Sequence, residues 1–124
     1  MKKVIISWQM VDKMIAKLVK DIKDSGIKFD GIYGVPRGGL PLAVMLSYRL
    51  NIPVLLYPTK NTLVVDDISD NGFTLQRMKN KKIATLYSTD WTIAKPNWFV
   101  EKKKSKDDWL IFPWETKDEK PTYS

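Results

Sequence analysis

The sequence contains no cysteine among its 124 residues. Disulfides, thiolate metal sites and a cysteine nucleophile are therefore excluded, which fits the cytoplasmic location we expect. It also lacks any apolar run of about 18 residues, and its first residues lack a secretory pattern, so we expect neither a membrane span nor export. Internal repeats and linker-like segments are absent too. A chain of this length predicts one domain over residues 1–124.

Acidic residues are fewer than basic ones: the sequence has 14 Asp and Glu and 21 Lys and Arg, which gives a formal charge of +7. This balance favours anionic partners but does not distinguish nucleic acid from small polyanionic substrates. The densest basic run, Lys102–Lys106, is predicted to be an exposed hairpin turn rather than a nucleic-acid patch. Nucleic acid is therefore not an expected partner.

Helical and strand patterns alternate along the chain. Ser7 is predicted to cap a helix over Trp8–Ser25, whose apolar residues recur at helical spacing and which Gly26 ends. The predicted elements that follow are a strand at Phe29–Val35, a helix at Leu40–Leu50, strands at Pro53–Tyr57 and from Leu63, a short helix at about Gly72–Lys79 and a strand at Ile83–Tyr87.

This alternation predicts an α/β domain with a central, mainly parallel sheet of four or five strands. Helices flank the sheet, and a small C-terminal β appendage is expected over the strand ends. Residues 1–6 are too few to assign, and Thr116–Ser124 is predicted to be a frayed tail.

The chemistry is concentrated where the apolar strand from Leu63 ends. Asp66 and Asp67 follow it directly, and a polar loop then leads into a helix start, where free N–H groups favour a phosphate. Two carboxylates repel an anion unless they hold hydroxyl groups or a divalent cation. An ordinary strand-to-helix turn with an Asp cap is the alternative. The loop contains Ser69, Asp70, Asn71, Gly72 and Thr74.

A second strand, loop and helix start lies at Gly34–Gly39, ahead of Leu40–Leu50. It predicts another anion site, although this motif alone fits a structural turn equally well. Together the two loops fit a substrate with phosphate at one end and pyrophosphate at the other, held at neighbouring strand ends.

The segment Val64–Thr74, VVDDISDNGFT, resembles the phosphoribosyl-pyrophosphate (PRPP) binding signature of type I phosphoribosyltransferases. The resemblance implies that Asp66 and Asp67 bind the ribose hydroxyls, with Mg2+ required, and that Asp70 is the acid/base group. It further implies a cis peptide between Pro36 and Arg37. The implied 5-phosphate residues are Asp70, Asn71, Gly72, Phe73 and Thr74, and the implied pyrophosphate residues are Pro36, Arg37, Gly38 and Gly39.

Three departures from the family pattern predict weaker binding or turnover. Asn71 stands where Thr is common, and Phe73 stands where a smaller or basic residue is common. The segment Pro58–Asn61 replaces a longer mobile loop that closes over the reacting centre in the family.

Two C-terminal segments resemble the base-binding segments of xanthine-guanine type purine phosphoribosyltransferases. They are Ala94–Pro96 and Asp108–Glu115. The resemblance implies that Lys95 meets a 6-oxo group and that Trp109 stacks on the base, with backbone near Leu110 and Ile111 at its far edge. A solvated Lys95 and a core or edge role for Trp109 remain alternatives.

The implied function is transfer of a phosphoribosyl group from PRPP to a purine base, a 6-oxopurine, releasing pyrophosphate and a nucleotide. We expect a homodimer and no membrane partner. The alternative is a non-catalytic PRPP or nucleotide sensor, or a nucleic-acid-binding regulator, on the same fold.

Overall fold

The computed structural model describes residues 1–78 and 80–115. The predicted tail Thr116–Ser124 lies outside them. Within the described part, no helix is long and apolar enough to cross a membrane. In chain order the elements are β1 (Lys2–Ile5), α1 (Trp8–Asp24), β2 (Gly31–Gly34), α2 (Gly39–Leu50), β3 (Thr62–Ser69), a single 3-10 turn (Leu75–Met78), β4 (Lys82–Ser88), β5 (Glu101–Lys102) and β6 (Asp108–Ile111).

The main sheet has the order β2-β3-β4-β5, and every pair in it is parallel. Leu63, Val64 and Val65 of β3 are fully buried, as a strand covered on both faces requires. Helices α1 and α2 contribute most of the remaining core, including Ile15, Leu18, Leu42 and Leu46. The α/β prediction is therefore confirmed.

The C-terminal appendage is a second, two-stranded sheet. Strand β6 pairs in parallel with β1, and Lys3 lies opposite Trp109. The sequence left residues 1–6 unassigned because four mostly exposed residues carry no periodicity. Their strand conformation comes from pairing with β6, which is a tertiary contact.

Helix α1 forms as predicted and ends one residue earlier, at Asp24. The side chain of Ser7 accepts a hydrogen bond from the Met10 N–H at 3.0 Å and caps the first turn. Gly26 takes a positive φ of 71° after the helix, which favours glycine.

Two predicted strands differ from the structure, one in its length and one in its existence. Strand β2 covers Gly31–Gly34 rather than Phe29–Val35. The predicted strand Pro53–Tyr57 is wrong, since only Val54 forms an isolated bridge, to Ile32. Leu55 is half-buried, and its N–H donates to the Ile32 carbonyl at 2.7 Å. Leu56 and Tyr57 are 91% and 70% exposed, so the end of this apolar run has no buried face to hold it in a sheet.

The predicted short helix and the predicted lysine hairpin are also corrected. The helix at about Gly72–Lys79 is reduced to the 3-10 turn, and Lys79 lies outside the described residues. The hairpin at Lys102–Lys106 is wrong, because Glu101–Lys102 adds a parallel strand to β4 and Lys103 is 4% exposed. Lys104, Ser105 and Lys106 are exposed as expected.

The parallel arrangement brings the carboxyl ends of β2, β3 and β4 to one edge of the sheet. The loop after β2, the acids of β3 and the connection after β4 therefore share this edge. Pro58–Asn61 lies at the opposite edge, where the Asp30 N–H donates to the Asn61 carbonyl at 2.9 Å. These residues cannot cover the carboxyl ends.

Candidate active site

The two Gly-rich and acidic loops predicted from the sequence are in contact. A Cβ atom added at Gly38 would lie 2.0 Å from Asp67 Oδ2, and one at Gly39 would lie 2.5 Å from the Val65 carbonyl oxygen. Such approaches are possible only for glycine. The sequence therefore builds one continuous site from the end of β2 and the end of β3.

The Asp66 carboxylate is buried, with 3% exposure. Its Oδ1 accepts the Asp67 N–H at 2.8 Å, while its Oδ2 is buried without a hydrogen-bond partner among the described residues. Asp67 is partly exposed, and its Oδ1 accepts the Ile68 N–H at 2.7 Å. A buried acceptor without a donor is costly, so Asp66 Oδ2 indicates a ligand that supplies one.

Burial raises the pKa of the Asp66 carboxyl well above its ordinary value, and the neighbouring Asp67 charge raises it further. Burial also raises the pKa of Asp67, to about 6. Hydrogen bonding with Asp66 lowers this pKa, and the charge of Glu115 raises it. Burial and the neighbouring charge therefore disfavour the ionised form of the pair. Donors or cations brought by a ligand stabilise its ionised form.

Asp66 and Asp67 can supply only part of the ligand shell of a Mg2+ ion. Within residues 1–78 and 80–115, no three Asp, Glu, His or Cys side chains come together to hold a metal ion. Asp66 and Asp67 offer the oxygen donors that Mg2+ prefers, and a diphosphate and water can complete its shell. The residues thus fit an ion that arrives with a phosphorylated ligand.

The loop after β3 presents backbone donors. Gly72 has a φ of 86°, and Asn71 Oδ1 accepts the Phe73 N–H at 3.1 Å. Among the described residues, the N–H groups of Asn71, Gly72 and Thr74 have no protein acceptor. A 3-10 turn follows rather than a long helix, so these amides, and not a helix dipole, are the donors that an anion would meet here.

The first loop has the backbone that the family resemblance implies. The peptide bond between Pro36 and Arg37 is cis. Both residues are exposed, and Gly38 is partly buried against Asp67. This places the loop on the solvent side of the acidic pair.

Asp70 is buried, and three side chains donate hydrogen bonds to it. Its Oδ1 accepts the Trp91 Nε1–H at 3.0 Å, and its Oδ2 accepts from Lys103 Nζ at 2.7 Å. Its backbone carbonyl accepts the Thr89 hydroxyl at 2.6 Å. Neither Lys103 nor Trp91 is predicted as a site residue from the sequence. For Lys103 the reason is that no local signal in a run of lysines marks the one that is buried.

The C-terminal segment reaches the acids through residues after β6. Glu115 lies close enough for its charge to act on Asp67, and its Oε1 accepts the Phe112 N–H at 2.9 Å. The rings of Phe112 and Trp114 are stacked with centroids 5.2 Å apart. The charge of Glu115 therefore acts near the acidic pair, although the sequence offered only its place at the end of the base segment.

The predicted base-binding residues lie on separate segments. Trp109 is partly buried on β6, with Lys3 Nζ 5.1 Å from its ring centroid. Leu110 is partly buried and Ile111 is buried. Lys95 is exposed on the connection after β4, and the described residues show no hydrogen bond or ion pair that joins it to Asp66, Asp67 or Asp70. The fold thus brings the residues predicted to bind PRPP closer together than those predicted to bind the base.

Comparison with known proteins places this site in a class. No family model matches the chain. A xanthine-guanine phosphoribosyltransferase from Idiomarina loihiensis is 27% identical over 89% of this chain and 85% of its own length. The crystal structure of a purine phosphoribosyltransferase from Pyrococcus horikoshii is 32% identical, with a TM-score of 0.80, and the match covers 100% of this chain and 99% of that one.

The fold and the paired loops are those of a phosphoribosyltransferase. The chain belongs to the type I phosphoribosyltransferase family, purine type. It also resembles a transcriptional regulator, GfcR, from Methanococcus maripaludis, which is 33% identical over 53% of this chain. That match covers only 32% of the regulator's length.

Proposed function

We propose that this chain transfers a phosphoribosyl group from PRPP to a 6-oxopurine and releases pyrophosphate. The observation that carries the proposal is the contact between Gly38 and Asp67, which joins a diphosphate loop to a ribose-binding acid. The family membership supports the same reaction class. Each end of PRPP then meets a different strand end of one sheet.

The ribose is assigned to the acidic pair. Asp66 Oδ2 has no donor within residues 1–78 and 80–115, and a ribose hydroxyl supplies one. Asp67 accepts from the second hydroxyl, and both carboxylates face the positive charge that develops on the ribose ring. When bound with PRPP, Mg2+ neutralises the diphosphate, and Asp66 and Asp67 are the residues that would hold it.

The two phosphorylated ends are assigned to the loops. The Arg37 side chain and the amides of Gly38 and Gly39 hold the diphosphate, which leaves with the electron pair of the C1–O bond. The loop Asp70–Thr74 wraps the 5-phosphate with the unpaired N–H groups described above. Catalysis comes from this positioning and charge complementarity rather than from a covalent nucleophile.

The base is assigned to the C-terminal segments. Trp109 offers a flat face, and backbone groups near Leu110 and Ile111 meet the far edge. Lys95 has donors and no acceptor, so it favours hypoxanthine, guanine or xanthine over adenine, whose 6-amino group is a donor. Asp70 takes the proton that the imidazole ring of the base loses.

The test is incubation with PRPP, Mg2+ and each of a panel of bases, with pyrophosphate release measured. Release with 6-oxopurines and little with adenine or orotate supports the proposal. No release with any base, in protein that binds PRPP, would contradict the assignment as an enzyme.

A second candidate is a regulator that binds PRPP or a nucleotide without turnover. The similarity to GfcR favours it, and so does the position of Pro58–Asn61 at the edge of the sheet away from the acids. Tight PRPP binding without pyrophosphate release, together with a ligand-dependent shift of labelled DNA or RNA in a gel, would support it over the enzyme.

A further inference from the structure

One buried charge has no part in the function proposed above. Lys103 is 4% exposed in a run whose neighbours are exposed, and its ammonium is 2.7 Å from Asp70 Oδ2. Burying a lysine is expensive unless a partner compensates it, so this pair is a specific feature of the fold. It also engages the residue proposed to accept a proton from the base.

The backbone explains how the lysine reaches the acid. Lys103 follows β5, and its N–H donates to the Ser88 carbonyl at the carboxyl end of β4 at 2.9 Å. Asp70 follows β3 on the other side of β4. The Lys103 side chain therefore crosses the end of β4, which places an ammonium beside Asp70 at the edge where the substrate is proposed to bind.

Among the residues that the structure describes, the carboxylate of Asp70 has one donor on each oxygen. Trp91 Nε1 fixes Oδ1 at 3.0 Å and Lys103 fixes Oδ2 at 2.7 Å. Only the lysine carries a charge. Trp91 in turn has the Lys106 ammonium 5.7 Å from its ring centroid, and the Asp90–Lys102 ion pair on the same connection is exposed. Asp66 and Asp67, on the strand that precedes Asp70, add negative charge rather than compensate it.

We infer that Lys103 is a positioning residue that keeps the buried Asp70 carboxylate ionised and fixed, so that it can accept the proton of the base. This inference rests on the proposed transferase function. In the reaction the N–H bond of the base breaks and its electron pair stays on the ring. The proton passes to Asp70, while Lys103 remains protonated and touches no reacting atom.

Removing the ammonium separates this role from simple packing. In Lys103→Met, a buried carboxylate has no cation, and burial then favours its protonated form, which cannot accept a proton. We expect kcat/KM for the base to fall about 100-fold at pH 7 and to recover as the pH is raised toward 9. Lys102→Met, next to it and exposed, is the matched control and should leave both activity and pH profile unchanged.

A double-mutant cycle covers the case in which Lys103→Met folds poorly. Asp70→Asn and the double variant Asp70→Asn, Lys103→Met should have equal rates, because Lys103 acts only through Asp70, and the double variant buries no unpaired charge. Trp91→Phe removes a neutral donor, so any loss should not be recovered at high pH. Additive losses in the cycle, or a loss in Lys103→Met confined to 6-oxopurines at every pH, would overturn the inference and make Lys103 a base contact.

A measurement on the free protein separates this inference from the proposed function. The carboxyl 13C signal of Asp70 is followed between pH 5 and pH 9 by NMR. Its pH dependence should differ between the wild-type protein and Lys103→Met, because only the wild-type protein has an ammonium 2.7 Å from Asp70 Oδ2. An Asp70 signal that is the same in both proteins would contradict the inference even if transferase activity is found. If the Asp70 signal differs between the two proteins but no transferase activity is found, the role of Lys103 beside Asp70 is supported and the proposed transferase function is contradicted.

Discussion

The Cα of Gly38 lies against the carboxylate of Asp67, so that a Cβ atom at residue 38 would be 2.0 Å from Asp67 Oδ2. We therefore expect Gly38→Ala to displace this carboxylate and to weaken PRPP binding by about 10-fold or more, as for a lost charge-assisted hydrogen bond. Calorimetric titration with PRPP and Mg2+ measures this loss of affinity. Gly26→Asn is the control, because Asn tolerates a positive φ and position 26 has no neighbour within 4 Å. Equal affinities in both variants would contradict the proposed junction.

The acidic pair should limit stability at high pH. Because the pKa of Asp66 is raised in the folded state, its contribution is favourable below the unfolded value and is lost as the pH rises through the folded value. Asp66→Asn removes this loss. We expect it to stabilise the free protein by about 1 kcal/mol at pH 8 and by less at pH 4.5, measured by thermal unfolding.

The double variant Asp66→Asn, Asp67→Asn separates ribose from phosphate binding. It should lose affinity for PRPP while inorganic phosphate still binds the loop Asp70–Thr74, as seen in amide chemical shifts. PRPP affinity equal to that of the wild-type protein would rule out the ribose assignment.

Water should compete with the base at the reacting centre. Pro58–Asn61 lies at the opposite edge of the sheet, so this segment cannot exclude solvent from the acids. Hydrolysis of PRPP in the absence of any base should therefore be a visible fraction of the total reaction, and turnover should be slow. A fast, strictly base-dependent reaction would show that another segment or a partner subunit covers the site.

Two substitutions distinguish the proposed base contacts. Trp109→Ala removes the stacking face and should weaken all purines alike. Lys95→Ala removes a donor and should selectively weaken 6-oxopurines, by about 10-fold. Steady-state KM values for guanine, hypoxanthine and adenine measure both effects. If Lys95→Ala leaves the order of preference unchanged, the exposed lysine is not the group that meets the 6-oxo oxygen.

The parts of the site that could be predicted are contiguous in sequence. Strand β3 and its acids form one uninterrupted pattern, because an apolar run followed at once by two carboxylates has few structural interpretations. The cis bond at Pro36–Arg37 followed from the family resemblance. Both loops were therefore located before the structure was known.

The remaining parts depend on contacts between distant residues. Lys103 is buried because Asp70, 33 positions earlier, compensates its charge, and no local signal distinguishes it from the lysines beside it. The opposite error occurred at Leu56 and Tyr57, whose apolar character predicted a strand although the sheet leaves them exposed. The apolar composition of a segment shows that it could be buried, but it does not show whether the fold provides a surface to cover it.

The pairing of β1 with β6 has a consequence for how the protein is made. The Gly38–Asp67 contact, which is part of the proposed PRPP site, forms between residues that precede β6 in the chain. Trp109 cannot be held in place until the last strand emerges and returns to Lys2–Ile5 at the start. Such long-range pairing forms late in folding. A fusion partner ahead of Lys2 should therefore disturb the use of the base more than the binding of PRPP.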